Sequence, residues 1–164
     1  MPQYLLMINK RKWDRLDVPW LKPNQIQADP LGDLRITEGA LSIWHIEDDK
    51  SNLDLVIAGL ATTRQNVDKF EYGLFDQEIV TGLDLKAQIT TGNSPIDAAN
   101  VWHRDLIELT AEQALNLVNA IFDDFEKYRL YDDEVQARIL GAVRDGHIDL
   151  HKVNKSLKNK IAQL

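Results

Sequence analysis

The chain has 164 residues, a formal net charge of −7 and no cysteine. The lack of cysteine excludes disulfide bridges, thiolate zinc sites, iron–sulfur ligation and cysteine nucleophiles. Hydrophobic residues make up 44% of the chain and charged residues 27%, which is typical of a globular protein. We expect a single domain over residues 1–164, strand-rich over 1–92 and helical over 96–164.

The N-terminal part of the chain predicts two strand regions separated by a loop. Residues 3–9 are apolar on both faces and predict a buried strand. Residues 10–33 contain three prolines and predict a long irregular loop. Residues 34–46 predict a hairpin that turns at Glu38-Gly39 and supplies a central strand.

A helix and two further strands are expected before residue 90. Ser51 is a suitable N-cap for a helix that runs to about Arg64. Residues 70–75 alternate and predict a strand. Residues 83–89 alternate strictly, which predicts a strand with Leu83, Leu85, Ala87 and Ile89 facing inward.

The last third of the chain shows helical periodicity. Thr110 begins the first predicted helix, as part of a capping box with Gln113. Asp132 and Asp149 are expected to begin the second and third. The predicted fold class is therefore α+β, with a mixed or antiparallel sheet from the first ~90 residues and a C-terminal cluster of three amphipathic helices.

The strongest polar cluster is His103-Arg104-Asp105, which follows Trp102. A histidine with a nearby aspartate can act as an oriented base or ligate a metal, and an arginine can bind an anion. The alternative is structural: Trp102 anchors the entry to the C-terminal helices while the charges bind their neighbours.

A second pattern, Asp84-x-Lys86, is similar to the acidic-x-Lys part of metal-dependent nuclease sites. Such a site also needs a carboxylate from a neighbouring strand, for which Asp76 and Glu78 are candidates. Together with His103, Arg104 and Asp105, these residues suggest a small metal-dependent hydrolase or nuclease with an anionic substrate. A cross-strand ion pair is the simpler explanation of Asp84 and Lys86.

Cations and aromatic side chains alternate in the loop of residues 10–22. Tryptophan and arginine often anchor protein interfaces, so Trp13, Arg15 and Trp20 are candidate partner-binding residues. The same composition suits a nucleic-acid surface, although the acidic chain disfavours broad nucleic-acid binding. In a third interpretation the tryptophans pack onto the sheet while the cations face water.

Charge is segregated along the sequence. Residues 1–30 hold five basic and three acidic side chains, residues 149–164 hold four lysines and one aspartate, and the intervening chain is strongly acidic. The C-terminal helix supplies three candidate partner-binding residues, Lys152, Lys155 and Lys158. A partner protein of opposite charge would contact them. The alternative is a helix that completes the core and leaves its lysines in water.

No Gly-rich phosphate loop and no common catalytic motif occurs in the sequence. We therefore expect a non-enzymatic interaction or regulatory subunit that binds a larger partner protein, as immunity proteins, antitoxins and assembly subunits do. Neither a cofactor nor a metal is expected, and the partner is another protein or a second copy of the chain. Basic residues follow the first apolar run instead of preceding it, and no apolar run would span a membrane, so we expect a cytoplasmic protein.

Overall fold

The computed structural model describes residues 1–64 and 69–162, and within them six strands form one antiparallel sheet of order β4-β5-β2-β1-β3-β6. The strands are β1 (Gln3–Met7), β2 (Leu41–Ile46), β3 (Lys69–Asp76), β4 (Lys86–Ile89), β5 (His103–Ile107) and β6 (Glu126–Tyr131). The helices are α1 (Leu53–Thr62), α2 (Gln77–Gly82), α3 (Asp97–Asn100), α4 (Ala111–Ile121), α5 (Asp132–Arg144) and α6 (Lys155–Ala162).

The sheet is covered on both faces, and each face has its own hydrophobic core. On the first face, residues of α1, α3, α5 and α6 pack on side chains that include Leu5, Trp44 and Leu74. On the second face, α2, α4 and the loop before β2 pack on side chains that include Leu6 and Ile43. Neighbouring residues of β1 enter opposite cores because successive side chains of a strand point to opposite faces.

The predicted fold class is wrong in its layout. The sheet is not confined to the first ~90 residues, because β5 and β6 lie within the part that was expected to be helical. The three predicted C-terminal helices exist, but they do not form one cluster. Residues of α4 belong to the core of the second face, whereas residues of α5 and α6 belong to the core of the first.

The missed strands carry little of the hydrophobic pattern that identifies a strand. In β6, with the sequence EKYRLY, Leu130 is the only buried residue, and in β5 it is Leu106. Strands near a sheet edge expose much of their surface, so polar side chains are tolerated there and periodicity gives little signal. Pairing with β3 and β2, which are distant in sequence, holds these two segments extended.

The predicted inward face of the residue 83–89 strand is also wrong. Residues 77–82 form α2, and all four residues of β4 are exposed. Leu85 is buried, but Ala87 and Ile89 face solvent because β4 is the last strand of the sheet and its residues belong to neither hydrophobic core of the described chain. Alternation alone does not distinguish a half-buried strand from an exposed edge.

The predicted hairpin at residues 34–46 exists only as a turn and one strand. Glu38 and Gly39 both have positive φ, 53° and 75°, and a single bridge joins Thr37 to Ala40. Residues 34–36 form no strand. The strand at residues 41–46 is β2, and it lies at the centre of the sheet as predicted.

Other elements follow the predictions closely. Strands β1 and β3 and helix α1 lie where they were expected, but the N-cap residue of α1 is Asn52 and not Ser51. The Thr110–Gln113 capping box is present at the start of α4. Helix α6 begins at Lys155 and not at Asp149, because Asn154 Oδ1 accepts a hydrogen bond from the Leu157 N–H at 2.9 Å and acts as the cap.

Candidate functional site

Four polar side chains meet on the first face of the sheet, at its β4–β5 end. Ser42 of β2 lies opposite Asp105 of β5, and Trp44 lies opposite His103. Thr90, directly after β4, joins them through its side chain. Residues that face each other on neighbouring strands point to the same side of a sheet. Ser42, Thr90, His103 and Asp105 are called the polar network below.

Hydrogen bonds fix the roles within the polar network. Thr90 Oγ1 donates its single proton to Asp105 Oδ2 at 2.8 Å, and Ser42 Oγ donates to Asp105 Oδ1 at 3.0 Å. His103 Nδ1 lies 2.8 Å from Thr90 Oγ1, whose proton is already committed, so Nδ1 is the donor in this contact. The neutral imidazole therefore carries its lone pair on Nε2, which lies 3.7 Å from Asp105 Oδ1.

The environment of His103 favours its neutral form. Burial lowers the pKa of the imidazole and outweighs Asp105 and a hydrogen bond to the Thr90 main chain, which raise it, while the Arg104 charge lowers it slightly further. The Trp44 ring packs edge-on against it, with 5.0 Å between ring centroids. His103 is thus held as an oriented, neutral hydrogen-bond acceptor at neutral pH.

A cleft of about 270 Å³ lies beside the polar network, where the two central strands diverge. The pairing of β1 with β2 ends at Leu5 opposite Trp44, and beyond this point β1 continues along β3 while β2 continues along β5. The polar lining consists of Arg35, Ser42 and His103. The apolar lining consists of Leu6, Met7, Leu41, Trp44 and Leu60.

The side chain of Arg104 does not lie on the same face of the sheet as those of His103 and Asp105. The three residues are consecutive in β5, so Arg104 points to the second face of the sheet. Its Nη1 donates to the carbonyl oxygens of Val101 at 2.9 Å and His103 at 2.8 Å. Arg104 supports the main chain before β5, and an anion bound by it would lie on the opposite face from the polar network.

Asp84 and Lys86 also lie away from the polar network. Lys86 pairs with Glu108, and its position in β4 is four residues from Thr90, or about 13 Å along an extended strand. Asp84 precedes β4 in a turn with a φ of 52°. The ion-pair partner of Lys86 is therefore Glu108, and the structure does not join Asp84 or Lys86 to His103.

The other two carboxylates considered for a nuclease site, Asp76 and Glu78, lie even farther from the β4–β5 end of the sheet. Asp76 ends β3, and three strands separate β3 from β4 in the sheet, which corresponds to about 19 Å. Glu78 follows in α2. Within the part of the chain that the structure describes, no group of three histidine or acidic side chains is arranged to hold a metal ion.

The N-terminal loop separates its two tryptophans. Trp13 is completely buried, stacks against Phe122, packs at an angle against Phe125, and donates from Nε1 to Asp33 Oδ2 at 2.9 Å. Trp20 is 69% exposed. Trp13 therefore offers no side-chain surface to a partner, whereas Trp20 does.

Arg15 is engaged within the chain. Its Nη2 lies 2.7 Å from Asp123 Oδ1, its Nη1 donates to the Gln25 carbonyl oxygen at 2.8 Å, and its guanidinium lies 5.3 Å from the centre of the Phe122 ring. These contacts fasten the loop to the segment after α4. A partner that used Arg15 would have to compete with them.

The C-terminal lysines have different environments. Lys152 precedes α6 and forms an ion pair with Asp97 at 2.7 Å, a hydrogen bond that raises the pKa of the lysine. Lys155 is exposed at the start of α6, and Lys158 is half-buried. The apolar side of the same segment, with Val153 and Leu157, completes the core of the first face.

An exposed apolar corner at the end of β4 was not predicted. Ile89 is 74% exposed and Val101 is 60% exposed. Arg104 lies opposite Ile89 in the sheet and binds the Val101 carbonyl oxygen, so both residues lie next to Arg104. Half-buried Trp102 follows Val101. We call Ile89, Val101 and Trp102 the β4 corner; the strict alternation of residues 83–89 obscured it because Ile89 was assigned to the interior.

An acidic loop adjoins the β4 corner. The rings of Trp102 and His45 are stacked, with centroids 5.8 Å apart. His45 in turn lines an open groove with Pro2 and the acidic loop, Glu47, Asp48 and Asp49. Burial, followed by Arg104, lowers the pKa of His45, while Glu47 and Asp48 act against this shift. The corner therefore combines exposed apolar surface with nearby negative charge.

No family model matches the chain, and no curated protein or solved structure is significantly similar to it. Among the described residues, no helix is both long enough and apolar enough to cross a membrane.

Proposed function

We propose that the protein is a non-enzymatic interaction protein that binds a basic segment of a partner protein at the β4 corner. The observation that carries the proposal is the coincidence of an exposed strand edge with exposed aliphatic side chains. Within the described chain β4 pairs with β5 alone, and all four of its residues are exposed. The backbone groups on the outer side of such a strand can pair with an extended segment of another chain.

The side chains around β4 favour a particular kind of segment. Exposed Ile89, on the second face of the sheet, and exposed Val101 supply apolar contacts beside Arg104. The acidic loop, reached from this corner through Trp102 and His45, supplies negative charge. An extended segment that carries apolar residues next to lysine or arginine is complementary to both features.

The polar network argues less well for an enzyme. Ser42 donates to Asp105 and not to His103, so the network lacks the serine-to-histidine hydrogen bond that activates a nucleophilic hydroxyl. Arg104 lies on the other face, and Lys86 is paired with Glu108. These residues support a binding role more directly than hydrolysis.

The proposal is tested by affinity capture from the native host with four immobilised proteins. These are the wild type, Ile89→Lys, Val101→Lys and the control Leu115→Lys, whose side chain lies on α4 and is 44% exposed. A partner should bind the wild type and the control. Both corner variants should bind at least tenfold more weakly, because the added lysine repels a basic segment and removes apolar contact.

Capture alone does not decide the question, so each candidate is purified and its contacts are mapped by hydrogen exchange. We expect protection of residues 86–89 and 101–102, and weaker binding at high salt because the acidic loop contributes by charge. Native extract in which the protein elutes only as an 18.8 kDa monomer would contradict the proposal. So would a complex that Ile89→Lys and Val101→Lys leave unchanged.

A further inference from the structure

We propose that the cleft between the diverging strands β1 and β2 binds a small hydroxycarboxylate, with an apolar body, one carboxylate and one hydroxyl group. A fork between central strands leaves main-chain groups that would otherwise pair across the sheet facing the opening. The described pairing of β1 with β2 stops at Leu5 and Trp44 although both strands continue. The fork thus lies within the sheet and not at its edge.

The volume and lining of the cleft set the size of the apolar body. An apolar cavity of about 150 Å³ accommodates benzene, and this cleft is about 270 Å³. It therefore suits a molecule of roughly ten to twelve non-hydrogen atoms. Five of its lining residues are apolar and include Met7, Trp44 and Leu60, which can enclose a ring.

Positive charge at the cleft favours a carboxylate. Arg35 is exposed and lines the opening. A second guanidinium, that of Arg64, lies 3.4 Å from the sulfur of Met7, another lining residue. Burial and then the Arg35 charge lower the pKa of Arg64, while Glu71 acts against this shift. A carboxylate placed at Arg35 would relieve the repulsion between the two arginines and could accept two hydrogen bonds.

The polar network supplies the acceptor for a hydroxyl group. His103 Nδ1 is committed to Thr90, so the lone pair of the ring is on Nε2, 3.7 Å from Asp105 Oδ1. Ser42 Oγ donates its proton to Asp105 and also remains an acceptor. Both side chains line the cleft. A neutral hydroxyl can donate to either atom, whereas a second carboxylate would find two acceptors and a nearby Asp105 charge.

The inference does not depend on the proposed partner, because the cleft and the β4 corner share no residue. Three probes test it: 4-hydroxybenzoate, benzoate and 4-hydroxybenzyl alcohol, measured by calorimetry and by the NMR signal of the Trp44 indole N–H. We expect 4-hydroxybenzoate to bind with a dissociation constant below ~1 mM. Benzoate should bind about tenfold more weakly, because it leaves the acceptors without a donor.

Substitutions separate the two ends of the probe. Arg35→Gln should weaken the binding of both carboxylates about tenfold and leave the alcohol unaffected, and Arg35→Lys should recover part of the loss. Arg144→Gln, an exposed residue at the end of α5, is the control and should change nothing. NMR spectra of each variant establish that it is folded.

Three results would overturn the inference. The first is the lack of a saturable shift of the Trp44 signal with 4-hydroxybenzoate at ~10 mM, about tenfold above the expected dissociation constant. The second is equal affinity in wild type and Arg35→Gln. The third is equal affinity for 4-hydroxybenzoate and benzoate, which would show that the cleft does not recognise the hydroxyl group.

Discussion

The two edges of the sheet are built differently. At the β6 edge, Tyr128 stacks on Tyr72 of β3, with ring centroids 5.0 Å apart, and Arg129 Nε donates to Glu71 at 2.6 Å. Lys127 reaches across to the carbonyl oxygen of Trp13 at 2.8 Å. At the β4 edge all four residues are exposed. The β6 edge is held by contacts within the domain, whereas the β4 edge remains accessible. Another molecule can therefore bind at the β4 edge without breaking contacts of this kind.

The largest expected effect concerns the loop that supports the β6 edge. Trp13→Ala removes a completely buried ring and leaves Asp33 without its Nε1 donor. We expect the free energy of unfolding to fall by about 4 kcal/mol. Trp20→Ala, at the exposed position of the same loop, should change it by less than about 0.5 kcal/mol. Urea denaturation followed by circular dichroism measures both free energies. Similar losses of stability in the two variants would contradict the assignment of Trp13 to the core and Trp20 to the surface.

Gly73 tests how closely the second face of the sheet is packed next to β6. It lies opposite Lys127, and a Cβ atom there would overlap the ring of Phe125. Gly73→Ala should destabilise the fold by about 2 to 3 kcal/mol, because the ring cannot move without disturbing its neighbours. Gly141→Ala in α5 meets open space and should stabilise by about 0.5 to 1 kcal/mol. In thermal unfolding we expect the melting temperature to fall for Gly73→Ala and to rise for Gly141→Ala.

The ion pairs at the two edges should differ in their contribution. Glu71 has a side chain that is only 6% exposed and also accepts a hydrogen bond from the Lys10 N–H. Glu71→Gln should cost about 2 kcal/mol, because the partly buried donors of Arg129 and Lys10 lose a charged acceptor. The Lys86–Glu108 pair is 65% exposed on both sides, so Glu108→Gln should not measurably change stability. A larger loss at Glu108 would show that the β4 edge is also structurally important.

The smallest expected effect is a pH dependence at the β4–β5 end. The pKa values of His45 and His103 are lowered in the folded chain, chiefly by burial. The unfolded chain then binds more protons, so the free energy of unfolding should rise with pH from the folded pKa of each histidine up to about 6.5. Comparison of wild type with His103→Asn cancels the contribution of the carboxylates. Identical pH profiles would contradict this prediction, and an NMR titration of His103 checks the pKa directly.

The polar network shows which residues of a site can be predicted from the sequence and which cannot. His103 and Asp105 were selected correctly as neighbours, because alternate residues of a strand share a face. Arg104 was grouped with them only because the segment was not recognised as a strand. Ser42 and Thr90 were not selected, since they are 63 and 15 residues from Asp105 and only the pairing of β5 with β2 and β4 brings them there. Arg35 likewise reaches the cleft through a loop whose path has no periodic signal.

By itself the sequence determined the elements that bury a regular apolar pattern. These are β1, β3, α1 and the capped start of α4, where burial and capping act locally enough to be read from spacing. The tertiary structure decided which segments became edge strands, and it placed α4 on a different face from α5 and α6. It also decided that Trp13 is buried and that Ile89 is exposed. The physical reason is that a strand near an edge is specified by its hydrogen-bonding neighbours, and a side chain is buried only if another element covers it.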